Sequence, residues 1–295
     1  MKRRLGFNFF DLFVLAFCVV FALICFYPIW YVLVVSITPY EQFLNTPFVL
    51  APPLNPDFTY YTGIFTSNTF LRSMSVSVVV TLVGTSLCLL VTSSVAYAVS
   101  KTHIRGMKLL NAVAVFTMFF SGGTIPTFML YKNLGLLENP LVMVIPGAFN
   151  VTYYIIMRNY FSYSVPKELE EAARIDRAND IQVFGRIVLP LSRPMLAAIG
   201  LFIAVGYWND YYTYMVYCQI PKFQPFMWAL RRMLTDATFT SSTSSAAQQQ
   251  LNIPKIPALS LRMATVIVAI FPILIVYPFL QRHFAKGILI GAVKG

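Results

Sequence analysis

The chain has 295 residues, of which 58% are hydrophobic and only 11% charged, and its mean hydropathy is +0.68. A soluble domain carries about a quarter charged residues, so these charges cannot cover a water-facing surface, and lipid must cover much of it. The net charge of +11 does not mark a nucleic-acid binder, because the basic residues are spread between long apolar runs and form no single patch.

The N-terminal Met1-Lys2-Arg3-Arg4 precedes an apolar run over 12–37. That run is too long for the core of a signal peptide and no Ala-x-Ala site follows it, so it is expected to be a retained first span. A crossing needs about 20 apolar residues, and five further stretches qualify: 73–99, 109–131, 141–161, 194–217 and 261–281. The expected fold is therefore all-α, with six transmembrane helices. Its divisions are a first span with its external loop over 1–72, a core of five spans over 73–281, and a tail over 282–295. Gly122-Gly123, Pro126 and Pro146 interrupt the third and fourth spans. Such breaks are tolerated where neighbouring helices or a wet cavity satisfy the freed backbone groups.

Most of the 22 Lys and Arg residues fall in connections on the side that carries both termini. That side is cytoplasmic by the positive-inside rule. Cys18, Cys25 and Cys88 lie inside apolar runs and Cys218 at the end of one. No CxxC occurs, and His103 and His283 are far apart, so no metal site is expected and the cysteines read as buried hydrophobes. The stretch from Thr235 to Gln250 is polar and of low complexity, which predicts a flexible external loop.

The cytoplasmic stretch 164–194 is long for a connection between spans, and its pattern is helical. Pro166 suits a first turn, and Glu168, Glu170 and Glu171 complement the positive end of the helix dipole. Leu169, Ala172, Ala173 and Asp176 recur at i, i+3, i+4 and i+7, making one narrow face of small residues. Asn179 and Gln182 form a capping-box pair that opens a second short helix, which should end near Leu189-Pro190. A helix with such a face and no evident partner in its own chain is expected to dock on a soluble protein.

In the fifth span, Trp208 lies about 21 Å along the helix from Pro194, past the membrane midplane, and Asn209, Asp210, Tyr211 and Tyr214 follow it. They suit either an interfacial aromatic belt or the lining of a solute path. Read as one helix, Tyr207, Tyr211 and Tyr214 share a face and Asp210 falls beside it. Because a polar pair facing lipid is costly, Asn209 and Asp210 favour the path.

The run Glu171-Ala172-Ala173, then Asp176, Ala178, Leu189 and Pro190, resembles the EAA motif of the membrane subunits of bacterial ABC importers. Ser121-Gly122-Gly123-Thr124-Ile125-Pro126-Thr127, Trp208-Asn209 and the closing Lys286–Gly295 are similar to the carbohydrate-uptake branch, in its LplC-like, MalG-related form. The resemblance implies a multi-pass permease of the bacterial inner membrane that imports oligosaccharides or polysaccharide fragments. It implies a coupling helix in 164–194, with Glu171, Ala172, Ala173, Asp176, Arg177, Ala178, Leu189 and Pro190 facing an ATPase. The tail is expected to reach into the same assembly. The implied partners are a second homologous permease, two ATP-binding subunits and an extracellular solute-binding protein. ATP and Mg belong on the partner subunits, since no GxxxxGK[ST] loop exists here and the chain itself is not expected to be an enzyme. An ion-coupled secondary transporter is the alternative. It is poorly supported because the spans offer only Asp11 and Asp210 as ionisable groups; an intramembrane enzyme, with no histidine in a span and no GxSxG, ranks last. One residue departs from the family pattern: Arg177 stands where glycine follows the aspartate. A left-handed arginine costs about 1–2 kcal/mol, so either the backbone differs there or the position carries the strain.

Overall fold

The computed structural model describes residues 9–39, 42–43, 51–101, 104–243 and 258–291. Among the described residues, all regular structure is helical, with no strand. Twelve helices follow in order among the described residues: α1 Phe9–Ser36, α2 Thr59–Thr66, α3 Asn68–Ser100, α4 Met107–Phe119, α5 Thr124–Asn133 and α6 Val151–Tyr163. After them come α7 Lys167–Ile175, α8 Asp180–Leu191, α9 Arg193–Asn209, α10 Tyr212–Tyr217, α11 Phe226–Thr243 and α12 Ala258–Gly291. Three stretches among the described residues are long and apolar enough to cross a bilayer: α1, α3 and Pro140–Tyr163, where 3-10 turns precede α6. The pair α8 and α9, bent by 83° at Ser192, makes a fourth if taken as one span.

The chain divides into two compact units, Met1–Asn68 with Arg232–Phe271, and Thr69–Arg231 with Pro272–Gly295. In the first, α1 is apolar all round and exposed along most of its length, as a lipid-facing helix is. Only its last turn is buried, where the Ser36 hydroxyl donates to the Leu33 carbonyl and meets the Tyr61 hydroxyl at 2.6 Å. Ahead of α2, the Thr59 hydroxyl and N–H both donate to Asp57, which holds that carboxyl below the usual carboxylate range. The expected loop over 235–250 is helical as far as Thr243, and 244–250 lies outside the described residues.

The second unit is built on α3. Down to Ala96 its buried side is made of small residues, Ser73, Ser77, Gly84, Cys88, Thr92, Ser93 and Ala96, which let neighbouring backbones approach closely. The Phe226 N–H reaches Ser77 Oγ at 2.8 Å. Tyr154, Met157 and Phe161 of α6, Val183 and Val188 of α8, and Ile199 and Ile203 of α9 complete the core against it.

The expected third span, 109–131, is two helices. The backbone of α4 stops at Phe119, and Gly123, with φ +83°, turns it into α5; only glycine takes that conformation without a penalty. The fourth begins as 3-10 turns at Pro140 and Pro146, where proline has no N–H to give. Regular helix resumes at α6 because the Asn150 side chain accepts from the N–H groups of Thr152 and Tyr153 at 3.0 and 3.2 Å. Replacing Asn150 with Ala leaves those donors without a partner at membrane depth. The change should cost about 1 kcal/mol, read as a lower unfolding midpoint of the purified protein in detergent.

Candidate functional site

Two places gather the polar side chains singled out in the sequence: the α7–α8 element and the broken end of α9. Helix α7 starts after Pro166, whose backbone is extended, and carries Glu168 and Glu170 in its first turn. Glu170 is 6% exposed. Its carboxylate pairs with Lys101 at the end of α3 and accepts a hydrogen bond from the Tyr97 hydroxyl at 3.4 Å. The Lys101 ammonium lies 4.6 Å from the centroid of the Tyr97 ring. That ring stacks on Phe184 at 5.0 Å and meets Phe161 edge-on at 6.2 Å. One aromatic side chain thus joins α3, α6 and α8, while the ion pair beside it fixes α7.

This corrects the expectation of a helix without partners in its own chain. Ala173 and Ala178 are half-buried against the same core. The open side carries Glu168, Leu169, Glu171, Ala172, Ile175 and Asp176, with Ile175 83% exposed. Of the predicted coupling residues, Glu171, Ala172, Asp176 and Arg177 are therefore on the open surface, and Ala173 faces inward. The inward Glu170 was missed; Lys101 lies 69 positions away, and no local pattern links the two.

Helix α7 ends in a Schellman motif: the N–H of Arg177 bonds the Arg174 carbonyl and that of Ala178 the Ala173 carbonyl, each at 3.0 Å. Arg177 sits at φ +61°, so the left-handed turn is kept and arginine bears it. The Arg174 guanidinium reaches across to Asp180 at 3.0 Å. The capping box is present, with Asn179 and Gln182 each bonding the other's backbone. Pro190, which cannot donate to the carbonyl four residues back, follows a π-turn in which the Leu189 N–H reaches the Phe184 carbonyl. Leu189 and Pro190 are half-buried there.

The fifth span does not run unbroken to residue 217. Helix α9 stops at Asn209, Asp210 is extended, and its carboxylate accepts from the Thr213 N–H at 3.1 Å. A short acceptor of this kind competes with the helical ladder, so the shared face of Tyr207, Tyr211 and Tyr214 does not form. A cavity of about 450 Å³ opens at the break. It is lined by Asn209, Asp210, Tyr211 and Tyr212, and by Asn150, Tyr153 and Tyr207. The Arg231 guanidinium lies 4.3 Å from the Tyr211 ring centroid. Trp208 points elsewhere, buried beside Val78, Leu82 and Val205. Tyr214 is buried too, with its hydroxyl donating to the Ile220 carbonyl at 3.0 Å. Three of the five predicted path residues thus meet at the cavity. Tyr153, Tyr207 and Tyr212 join them through tertiary packing. Among the described residues, no three His, Cys, Asp or Glu side chains come together to hold a metal ion.

Known proteins share this architecture. Residues 2–290 match the family described as "Binding-protein-dependent transport system inner membrane component". The polygalacturonan/rhamnogalacturonan transport system permease protein YtcP of Bacillus subtilis (strain 168) is 39% identical, over 100% of both chains. Protein LplC of the same organism is 40% identical over 91% of this chain and 89% of its own. A crystal structure of a bacterial ABC transporter involved in the import of the acidic polysaccharide alginate contains a chain 31% identical, with a TM-score of 0.83 over 95% of this chain and 99% of that one.

Two outcomes follow from the geometry. Lys101→Met leaves a carboxylate buried and unpaired, which should cost about 3–5 kcal/mol. Adding Glu170→Gln should recover most of the loss in the yield of folded, monodisperse protein. Arg177→Gly removes the strain of a left-handed arginine and should stabilise the protein by about 1 kcal/mol, seen as a higher unfolding midpoint.

Proposed function

The chain belongs to the family of inner membrane components of binding-protein-dependent transport systems, and on that premise we propose that it is the permease subunit of an ATP-driven importer of oligosaccharides or polysaccharide fragments. The observation that carries the coupling role is the α7–α8 element. It is tied to α3 by the Glu170–Lys101 pair, bent by 83° from α9, and open on the side that holds Leu169, Ile175 and Ile181. A rigid anchor on one side and exposed apolar side chains on the other suit a lever pressed into a groove of a soluble subunit.

In this reading the chain crosses the membrane six times, with both termini in the cytoplasm. The bent and broken helices complete the crossings that the three long apolar stretches begin. Glu171, Ala172, Asp176 and Arg177 contact an ATPase that binds ATP and Mg. Ala173, Ala178, Leu189 and Pro190 hold the element's shape. A second permease faces this one across the path, and an extracellular binding protein delivers the sugar. The tail from residue 282 meets the same ATPase subunits. Asn209, Asp210 and Tyr211 line the path, where tyrosine faces can stack on sugar rings and the amide and carboxylate can bond hydroxyls. The cargo class is supported by the relatives' names, one given for polygalacturonan and rhamnogalacturonan and another for alginate.

Copurification tests the assembly. Tagged chain expressed with its partner genes should recover a second permease and an ATPase, and the assembly in proteoliposomes should import labelled oligosaccharide only with ATP. Uptake that persists without any ATPase would sink the reading. A chain shortened after Lys286 should recover less ATPase. Ile175→Glu should leave the unfolding midpoint unchanged, because the side chain is in the open, yet weaken ATPase recovery by about 2 kcal/mol, the scale of an interface hot spot. Unaltered recovery in that variant would remove α7 from the interface.

A further inference from the structure

Tyr207 is a tightly held side chain of the α9 cavity. Its hydroxyl donates to the Val144 carbonyl at 3.1 Å, inside the stretch of 3-10 turns that leads into α6. Its ring lies over two glycines. A Cβ at Gly84 of α3 would come within 2.6 Å of the ring, and one at Gly147 within 3.0 Å of the ring carbon that bears the hydroxyl. Real Cβ atoms do not approach so closely, so any side chain at either glycine must push Tyr207 away. Neither glycine has a positive φ, which leaves the room they make for this ring as the reason glycine is needed there. The same ring packs on the core cluster that contains Cys88, which is 1% exposed, and both residues line the cavity.

We propose that Tyr207 is a specificity-determining residue: seated on Gly84 and Gly147, it forms the end wall of the cavity and sets the size of the sugar segment that enters. This rests on the reading of the cavity as part of the sugar path. At about 450 Å³ the cavity is toward the lower end of the roughly 300–1,000 Å³ typical of ligand sites. It admits a short stretch of a chain, with the aromatic wall of Tyr153, Tyr207, Tyr211 and Tyr212 set to stack on it. The wall is a single ring held by one hydrogen bond and two absent methyl groups, so small changes at three positions resize the cavity.

The test uses the whole assembly in proteoliposomes, with Cys18, Cys25 and Cys218 replaced by Ser so that Cys88 reports alone. The probes are a small, water-soluble methanethiosulfonate and a panel of galacturonate and mannuronate oligomers from dimer to tetramer. Tyr207→Ala should raise the rate of Cys88 modification several-fold, and bound oligomer should slow it. The same variant should shift KM unequally across the panel, in favour of the longer oligomers. Gly147→Ala should raise KM by about tenfold, an overpacking penalty expressed as affinity, and should be far milder in the Tyr207→Phe background, where the clashing hydroxyl is gone. Cys88 as unreactive in Tyr207→Ala as in the parent, or a uniform change across the panel with KM ratios intact, would overturn the proposal. Failure of the underlying sugar reading shows itself separately, as an unmutated assembly that imports none of the panel and whose Cys88 no oligomer protects.

Discussion

A carboxylate almost wholly out of water persists in a fold only where a cation and hydrogen-bond donors meet it. Glu170 is in that position, and its partners come from the far end of another helix. Lys101 is the first residue after α3, so the ammonium meets the carboxylate where the apolar helix gives way to polar chain. Tyr97, one turn earlier, places a ring under the ammonium and a hydroxyl toward the carboxylate. Phe161 and Phe184 hold that ring in turn. The orientation of α7, and through the Schellman turn and the Arg174–Asp180 pair that of α8, follows from this cluster. The surface that α7 leaves open is open because Glu170 and Ala173 are turned inward.

A bilayer offers no hydrogen bonds, so every interruption of a helix within it needs a local remedy. Each break here has one. Gly123 takes a left-handed turn that other residues resist, and Asn150 caps α6 with its own side chain. Asp210 ends α9 and immediately satisfies a donor of α10. The last of these breaks opens the cavity, which ties the polar residues of the fifth span to the site by the same hydrogen bond that stops the helix.

Much of this was legible in the residues themselves. Low charge and long apolar runs determined a helical membrane protein. The Pro166-to-Ile175 pattern and the Asn179–Gln182 box located two short helices almost to the residue, because caps and turn residues act over three or four positions. The family resemblance raised a left-handed Arg177 as one of two possibilities, and the structure decides for it. Only tertiary structure decided which side of α7 faces inward, since Lys101 and Glu170 are 69 residues apart. It also decided that α9 ends at Asn209, sending Trp208 and Tyr214 into packing and Asn209 and Tyr211 into a cavity. The physical reason is that lipid is as apolar as a protein core, so a membrane helix needs no polar stripe on its outer side. Without that stripe the pattern of residues says where a span runs, and only packing determines which way each side chain points.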